Sequence, residues 1–136
     1  MSTDSFDRQL DLALNFSTIA NDPFGQSYEA LKEIAGSIER KLNDGLPDAT
    51  IKVEIEPGFQ AEIGQQLRIN IRIPGKQFRD TLFRAYIPAG GMPVLLDLYG
   101  EEPEKCSDLG ELEQKILEFL LRLKDRMASY RDYARP

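Results

Sequence analysis

The 136-residue chain has no histidine, no tryptophan and one cysteine, Cys106. Without histidine there is no Ser-His-Asp triad, no Cys-His dyad and no imidazole-based metal site. One cysteine forms neither an intrachain disulfide nor a zinc knuckle, and a lone thiol fits a reducing compartment. Long apolar runs are missing too. The most apolar stretch, Ile116 to Leu123, is interrupted by Glu118 and Arg122, whereas a membrane span needs ~18–20 apolar residues. The opening Met1-Ser2-Thr3-Asp4-Ser5-Phe6-Asp7 lacks the basic start and apolar core of a signal peptide. These features predict a cytoplasmic protein with no membrane partner. Bases are in deficit, 17 Lys+Arg against 23 Asp+Glu, for a net charge of −6. That argues against broad nucleic-acid binding, which needs a phosphate-neutralising surface.

What is present is an ordinary globular composition, 41% hydrophobic and 29% charged, at the length of one domain. No repeat, low-complexity tract or linker divides it, so residues 1–136 are expected to form a single α+β domain. Charge is uneven. Residues 1–49 carry net −5, residues 50–88 net +2, residues 89–110 net −4 and residues 111–136 net +1.

Hydrophobic periodicity predicts the order α-α-β-β-β-β-α. A first helix is expected from about Phe6 to Ala20, capped by Asp4 or Ser5 and ended by Asn21-Asp22-Pro23. It carries two apolar stripes, one through Phe6, Leu10, Ala13 and Leu14, the other through Leu12, Phe16 and Ile19. A second helix follows from the spacing of Tyr28, Leu31, Ile34, Ala35, Ile38 and Leu42, with Ser27 as its expected N-cap and Gly45 as a left-handed residue after its end.

The period then changes to two. Ile51, Val53 and Ile55 alternate with Lys52, Glu54 and Glu56, and Pro57-Gly58 reads as a turn. From Phe59 the odd positions continue as Ala61, Ile63, Leu67, Ile69, Ile71 and Ile73, with Gly64-Gln65-Gln66 interrupting the run as a bulge or second turn. Phe78 to Ile87 and Val94 to Tyr99 make two more strands, joined by a loop containing Gly90-Gly91. Short connections imply a four-stranded antiparallel meander. A long C-terminal amphipathic helix is predicted from Leu109 to Tyr130, capped by Ser107 or Asp108. The expected core includes Leu31, Ile34, Ile38, Val53, Ile69, Ile71, Phe83, Leu96, Leu112, Ile116 and Leu120.

No familiar catalytic set emerges from these elements. Cys106 precedes a helix, where the dipole lowers a thiol pKa, but Glu102, Glu104 and Asp108 oppose that and no histidine is available as its base. A structural thiol is expected, with Cys106→Ser changing stability by less than about 1 kcal/mol. The acidic run Glu101 to Asp108 lacks the alternating ligands and central glycine of a calcium loop and reads as a solvated connector. Gly90-Gly91 has neither phosphate-loop spacing nor a following helix. No cofactor, metal or catalytic residue is assigned, and a non-enzymatic role is expected.

The alternation does expose one candidate binding face. In the third strand Thr81, Phe83, Ala85 and Ile87 are expected inward, and Asp80, Leu82, Arg84 and Tyr86 outward. Together the strands offer Arg68, Arg72, Leu82, Arg84, Tyr86, Leu95 and Tyr99 on the outer face, and Arg and Tyr are enriched at binding hot spots. The plainer reading is a face covered by a helix, or a half-polar face with Arg stems lying over Tyr rings. On the last helix Leu117 and Leu121 widen the apolar stripe beyond what one sheet face needs. The surplus is expected to meet either the first helix or a second copy in a homodimer.

Two function classes follow. The first is a small acidic protein-binding module, an adaptor, immunity protein or chaperone whose partner is another protein. The second is a ligand or single-stranded nucleic-acid binder using the Arg/Tyr face, weakened by Glu54, Glu56 and Asp97 on that face. Size, acidity and the C-terminal helix also resemble the type III secretion chaperones. That family has a helix within its strand series, while this chain puts two helices ahead of its strands, so no family is assigned.

Overall fold

The computed structural model describes residues 23–47, 49–61, 64–98 and 102–135, and the helix expected over Phe6 to Ala20 lies outside them. The described elements are α1 (Pro23–Leu42), β1 (Lys52–Ala61), β2 (Gly64–Ile73), a single 3-10 turn (Pro74–Lys76), β3 (Phe78–Pro88), β4 (Val94–Asp97), β5 (Glu104–Cys106), α2 (Leu109–Arg122) and α3 (Lys124–Ala134). The strands pair antiparallel in chain order, β1-β2-β3-β4-β5. The class is the expected α+β with an antiparallel sheet, but the sheet has five strands rather than four.

The fifth strand lies in the acidic run read as a connector. Val94 pairs with Cys106, Leu95 with Lys105 and Leu96 with Glu104. Three residues are too few to display an alternation, and the charged pair Glu104 and Lys105 suits an edge strand that must not recruit another chain.

Pro57-Gly58 is not a turn. β1 runs through both residues, with a register shift between Pro57 and Gln60, and the chain reverses between the paired residues Ala61 and Gly64. Proline is tolerated because β1 is an edge strand, so a missing N–H need not break a ladder on both sides.

A second irregularity changes what faces where. β2 and β3 are in step up to Ile69↔Phe83, and the next pair is Asn70↔Thr81. Leu82 is therefore an extra residue, and both Leu82 and Phe83 are buried. Beyond this bulge the parity of β3 reverses. Asp80 pairs with Ile71 on the inner face, whereas Thr81 pairs with Asn70 on the outer face. The expected orientations of Asp80, Thr81 and Leu82 are thus corrected.

The three described helices pack on the inner face. Leu31, Ala35, Ile38 and Leu42 of α1 join Ile69, Ile71, Phe83 and Leu96 of the sheet and Leu112, Ile116 and Phe119 of α2 in one buried cluster. The rings of Phe83 and Phe119 meet edge to face at 6.1 Å. Of the expected core, Ile34 and Leu120 are only partly buried.

α1 begins at Pro23, where a fixed φ and a missing N–H suit a helix start. Ser27 is inside the helix rather than at its cap, and its buried hydroxyl donates to the Gly91 carbonyl at 2.6 Å. Gly91 has φ +87°, and a Cβ there would lie 2.3 Å from the Pro23 carbonyl oxygen. The Gly90-Gly91 loop is thus the seat of α1, and Gly91 is required for that approach. At the other end Gly45 is left-handed as expected. Asn43 and Glu39 then satisfy the start of β1: the Asn43 amide brackets the Ile51 backbone at 2.7 and 2.9 Å, and Glu39 accepts from the Val53 N–H at 2.8 Å.

Asp108 is the N-cap of α2, accepting from the Glu111 N–H at 2.8 Å. The expected single helix breaks at Leu123 (φ −99°, ψ 19°), and α3 follows. α3 is latched to the sheet. The Tyr130 hydroxyl donates to Asp80 at 2.5 Å, the Arg126 guanidinium pairs with the same carboxylate, and the Phe78 ring lies 5.9 Å from that of Tyr130.

Candidate binding surfaces

Regular alternation on β1 and β2 brings Lys52, Glu54, Glu56, Arg68, Asn70 and Arg72 to the outer sheet face, in register across the two strands. Beyond the bulge β3 adds Arg79 and Thr81, and before it Arg84 and Tyr86. β4 and β5 add Leu95, Asp97 and Lys105. Lys52, Arg68, Arg72, Arg79, Arg84 and Lys105 face the carboxylates of Glu54, Glu56 and Asp97 there, so a chain of net −6 carries a face with three surplus cations.

Much of that charge is internally paired. Arg72 meets Glu54 at 2.8 Å, Arg68 lies 3.9 Å from Glu56, and Arg79 pairs with the same Glu56 carboxylate. Beneath them the buried Asn70 donates to Glu56 at 2.8 Å and accepts from Thr81 at 3.0 Å. Glu56, Arg68, Asn70, Arg79, Thr81 and Arg84, with Asp80, rim a shallow polar dish of about 500 Å³.

Of the residues expected to bind here, Arg68, Arg72, Arg84, Tyr86 and Leu95 share the outer face. Tyr86 and Leu95 are half-buried cross-strand neighbours, and Arg84 is exposed between Arg68 and Asp97 in register. Leu82 is not among them because the bulge buries it. Tyr99 lies outside the described residues. Arg79 was missed, since strict parity puts it inward until the bulge is counted. Lys105 was missed with its strand.

A second surface lies between the helices. Leu117 and Leu121 of α2 are 57% and 72% exposed. They line an open furrow against α1 of about 620 Å³, floored by Ile38, Leu42, Leu120 and Met127 and bordered by Lys41, Lys124 and Arg131. The furrow extends between Ile34 and Ile116 into a smaller hollow of about 250 Å³, bordered by Glu33 and Glu113.

Among the described residues Cys106, Asp80 and Tyr130 have displaced pKa values, and packing accounts for each. Cys106 is buried, and burial pushes its thiol up to about 11, a pull that nearby Lys115 only partly opposes. At neutral pH it is a protonated core group. Burial pushes the Asp80 carboxyl up, but the hydrogen bonds from Tyr130 and Arg126 outweigh it and hold the group below its ordinary value of 3.8. Burial and the bond to Asp80 push the Tyr130 phenol the other way, above its ordinary 10. This pair is spent on fastening α3. Among the described residues no three His, Cys, Asp or Glu side chains cluster as metal ligands, and no helix is long and apolar enough to cross a membrane.

No family model matches the chain, no curated protein matches it, and no solved structure matches it. Its function is therefore argued from its own residues.

Proposed function

We propose that this protein is a non-catalytic binding module that holds an acidic segment of another protein on the outer face of its sheet by stoichiometric contact. One observation carries the reading: all three described helices pack on the inner face, leaving the cationic face uncovered by any described element. Arg84, Tyr86 and Leu95 are its centre, an arginine beside an aromatic and an aliphatic side chain, the residue types that dominate interface hot spots. The paired ladder of Arg68, Arg72 and Arg79 frames them with fixed charges, which set orientation and approach rate more than affinity.

Single-stranded nucleic acid is the second reading, favoured by the surplus of cations around Tyr86. Glu54 and Glu56 among those cations and the net charge of −6 count against it. Affinity capture from the native host, compared between the wild type and an Arg84→Glu/Tyr86→Ala variant, tests the proposal. A protein retained at near-equimolar amount by the wild type and lost with the variant is the expected result. Retention of the same protein by the wild type and the variant alike excludes this face. Salt-sensitive retention of the wild type alone on immobilised single-stranded DNA favours the second reading.

A further inference from the structure

The furrow between α1 and α2 has a polarity that the outer face lacks. Because α1 and α2 run side by side in the same direction along it, Glu33 and Glu113 border one end and Lys41 and Lys124 the other. The exposed Leu117 and Leu121 lie between. The midpoint of Glu113 and Lys124 in the chain falls between these two leucines, and the midpoint of Glu33 and Lys41 is the small residue Ser37. A second copy turned by a two-fold axis through this midpoint brings its acidic end to the first copy's basic end. The same rotation lays Leu117 of one copy beside Leu121 of the other.

We infer that this furrow is the self-complementary interface of a two-fold homodimer, closed by the leucine pair and registered by reciprocal Glu113–Lys124 contacts. An isologous interface requires that kind of match, since one patch must complement itself. The acid-to-base gradient supplies it, whereas a furrow bordered by one sign of charge would repel its own copy. Burial of Leu117 and Leu121 supplies the drive, because solvent-facing leucines in an apolar groove gain by leaving water. The outer sheet faces are on the opposite side of each protomer from the furrow, so a dimer presents two of them to partners.

Sedimentation equilibrium on the full chain at roughly 10–100 µM, a range that reads micromolar association, tests the inference. A mass of twice 15.4 kDa is expected. Leu121→Glu should weaken the dimer by more than about thirtyfold, as removal of a buried interface anchor does. That residue is 72% exposed in the protomer, so the variant keeps its fold, checked by circular dichroism. Glu113→Lys and Lys124→Glu should each weaken association roughly tenfold, since each places two like-charge pairs across the axis. The Glu113→Lys/Lys124→Glu double variant should return to within about threefold of the wild type. A 15.4 kDa species throughout, or a dimer indifferent to Leu121→Glu, overturns the interface. Failure of the double variant to recover overturns the two-fold registration.

Discussion

On β2, Ile69, Ile71 and Ile73 enter the helix layer and are at most 1% exposed, while Arg68 and Arg72 stand on the opposite face in ion pairs with β1. The two sets belong to one strand and alternate residue by residue. The inner set is replaceable only by groups of similar volume, because its cavity has no other occupant. The outer set tolerates exchange, because exposed ion pairs contribute little. The difference separates what holds this fold from what the fold can present to a partner.

Paired substitutions on the two faces break or sharpen that contrast. The largest effect is expected from Ile71→Ala or Ile116→Ala, which should each lose about 2–5 kcal/mol of unfolding free energy in urea titrations. A loss under 1 kcal/mol for either would mean that the inner face is not the core.

Cys106→Ser comes next. A thiol near a helix start predicts a change below about 1 kcal/mol. The structure places Cys106 in the core opposite Val94, with no exposure. A buried hydroxyl without a partner there should cost about 1–3 kcal/mol, and Cys106→Ala should be the milder change. Thermal unfolding of the two variants side by side checks the order.

A smaller loss, about 1–2 kcal/mol, is expected from Tyr130→Phe or Asp80→Asn, which remove hydrogen bonds to a partly solvated carboxylate. The pH dependence has a definite sign. Asp80 is held below 3.8 in the fold, so its contribution is present above about pH 4 and lost as pH falls through the folded value. Tyr130 is held above 10, so its contribution is present below pH 10 and lost as pH rises beyond it. Asp80→Asn should flatten the acid limb of the stability–pH curve, and an unchanged limb would show that the latch does not titrate as described.

The smallest effect is expected from Arg72→Ala. Its partner Glu54 is on an exposed ladder, so the loss should stay below about 1 kcal/mol and shrink further in high salt. A larger loss would make the outer face part of the scaffold rather than a surface.

Much of the fold was legible because burial imposes a period. The three- and four-residue steps of α1 and the inward alternation of β2 are one-faced patterns, and the structure buries Leu31, Ala35, Ile38, Ile69, Ile71 and Ile73 accordingly. β5 was not legible, since three residues carry no period. Nor was the Leu82 bulge: an inserted residue leaves the sequence around it looking regular, and only pairing with β2 reveals it. That one residue removed Leu82 from the candidate face, exchanged Asp80 for Thr81 and brought in Arg79. Arg68, Arg72, Arg84, Tyr86 and Leu95 share the outer face as the alternation predicts, because they lie on regular stretches of the ladder.

By itself the sequence determined the class of this protein. Composition excludes histidine chemistry, the switch from a period near 3.6 to a period of two separates helices from strands, and short connections make the strands antiparallel. Tertiary structure alone decided three things. Strand partners set the place of the bulge and hence the membership of the outer face. The Asp80–Tyr130–Arg126 latch accompanies a break at Leu123 that no proline or glycine announces. The side-by-side run of α1 and α2 turned scattered charges into a furrow with an acidic and a basic end. Each depends on residues distant in the chain meeting in space, which local periodicity does not encode.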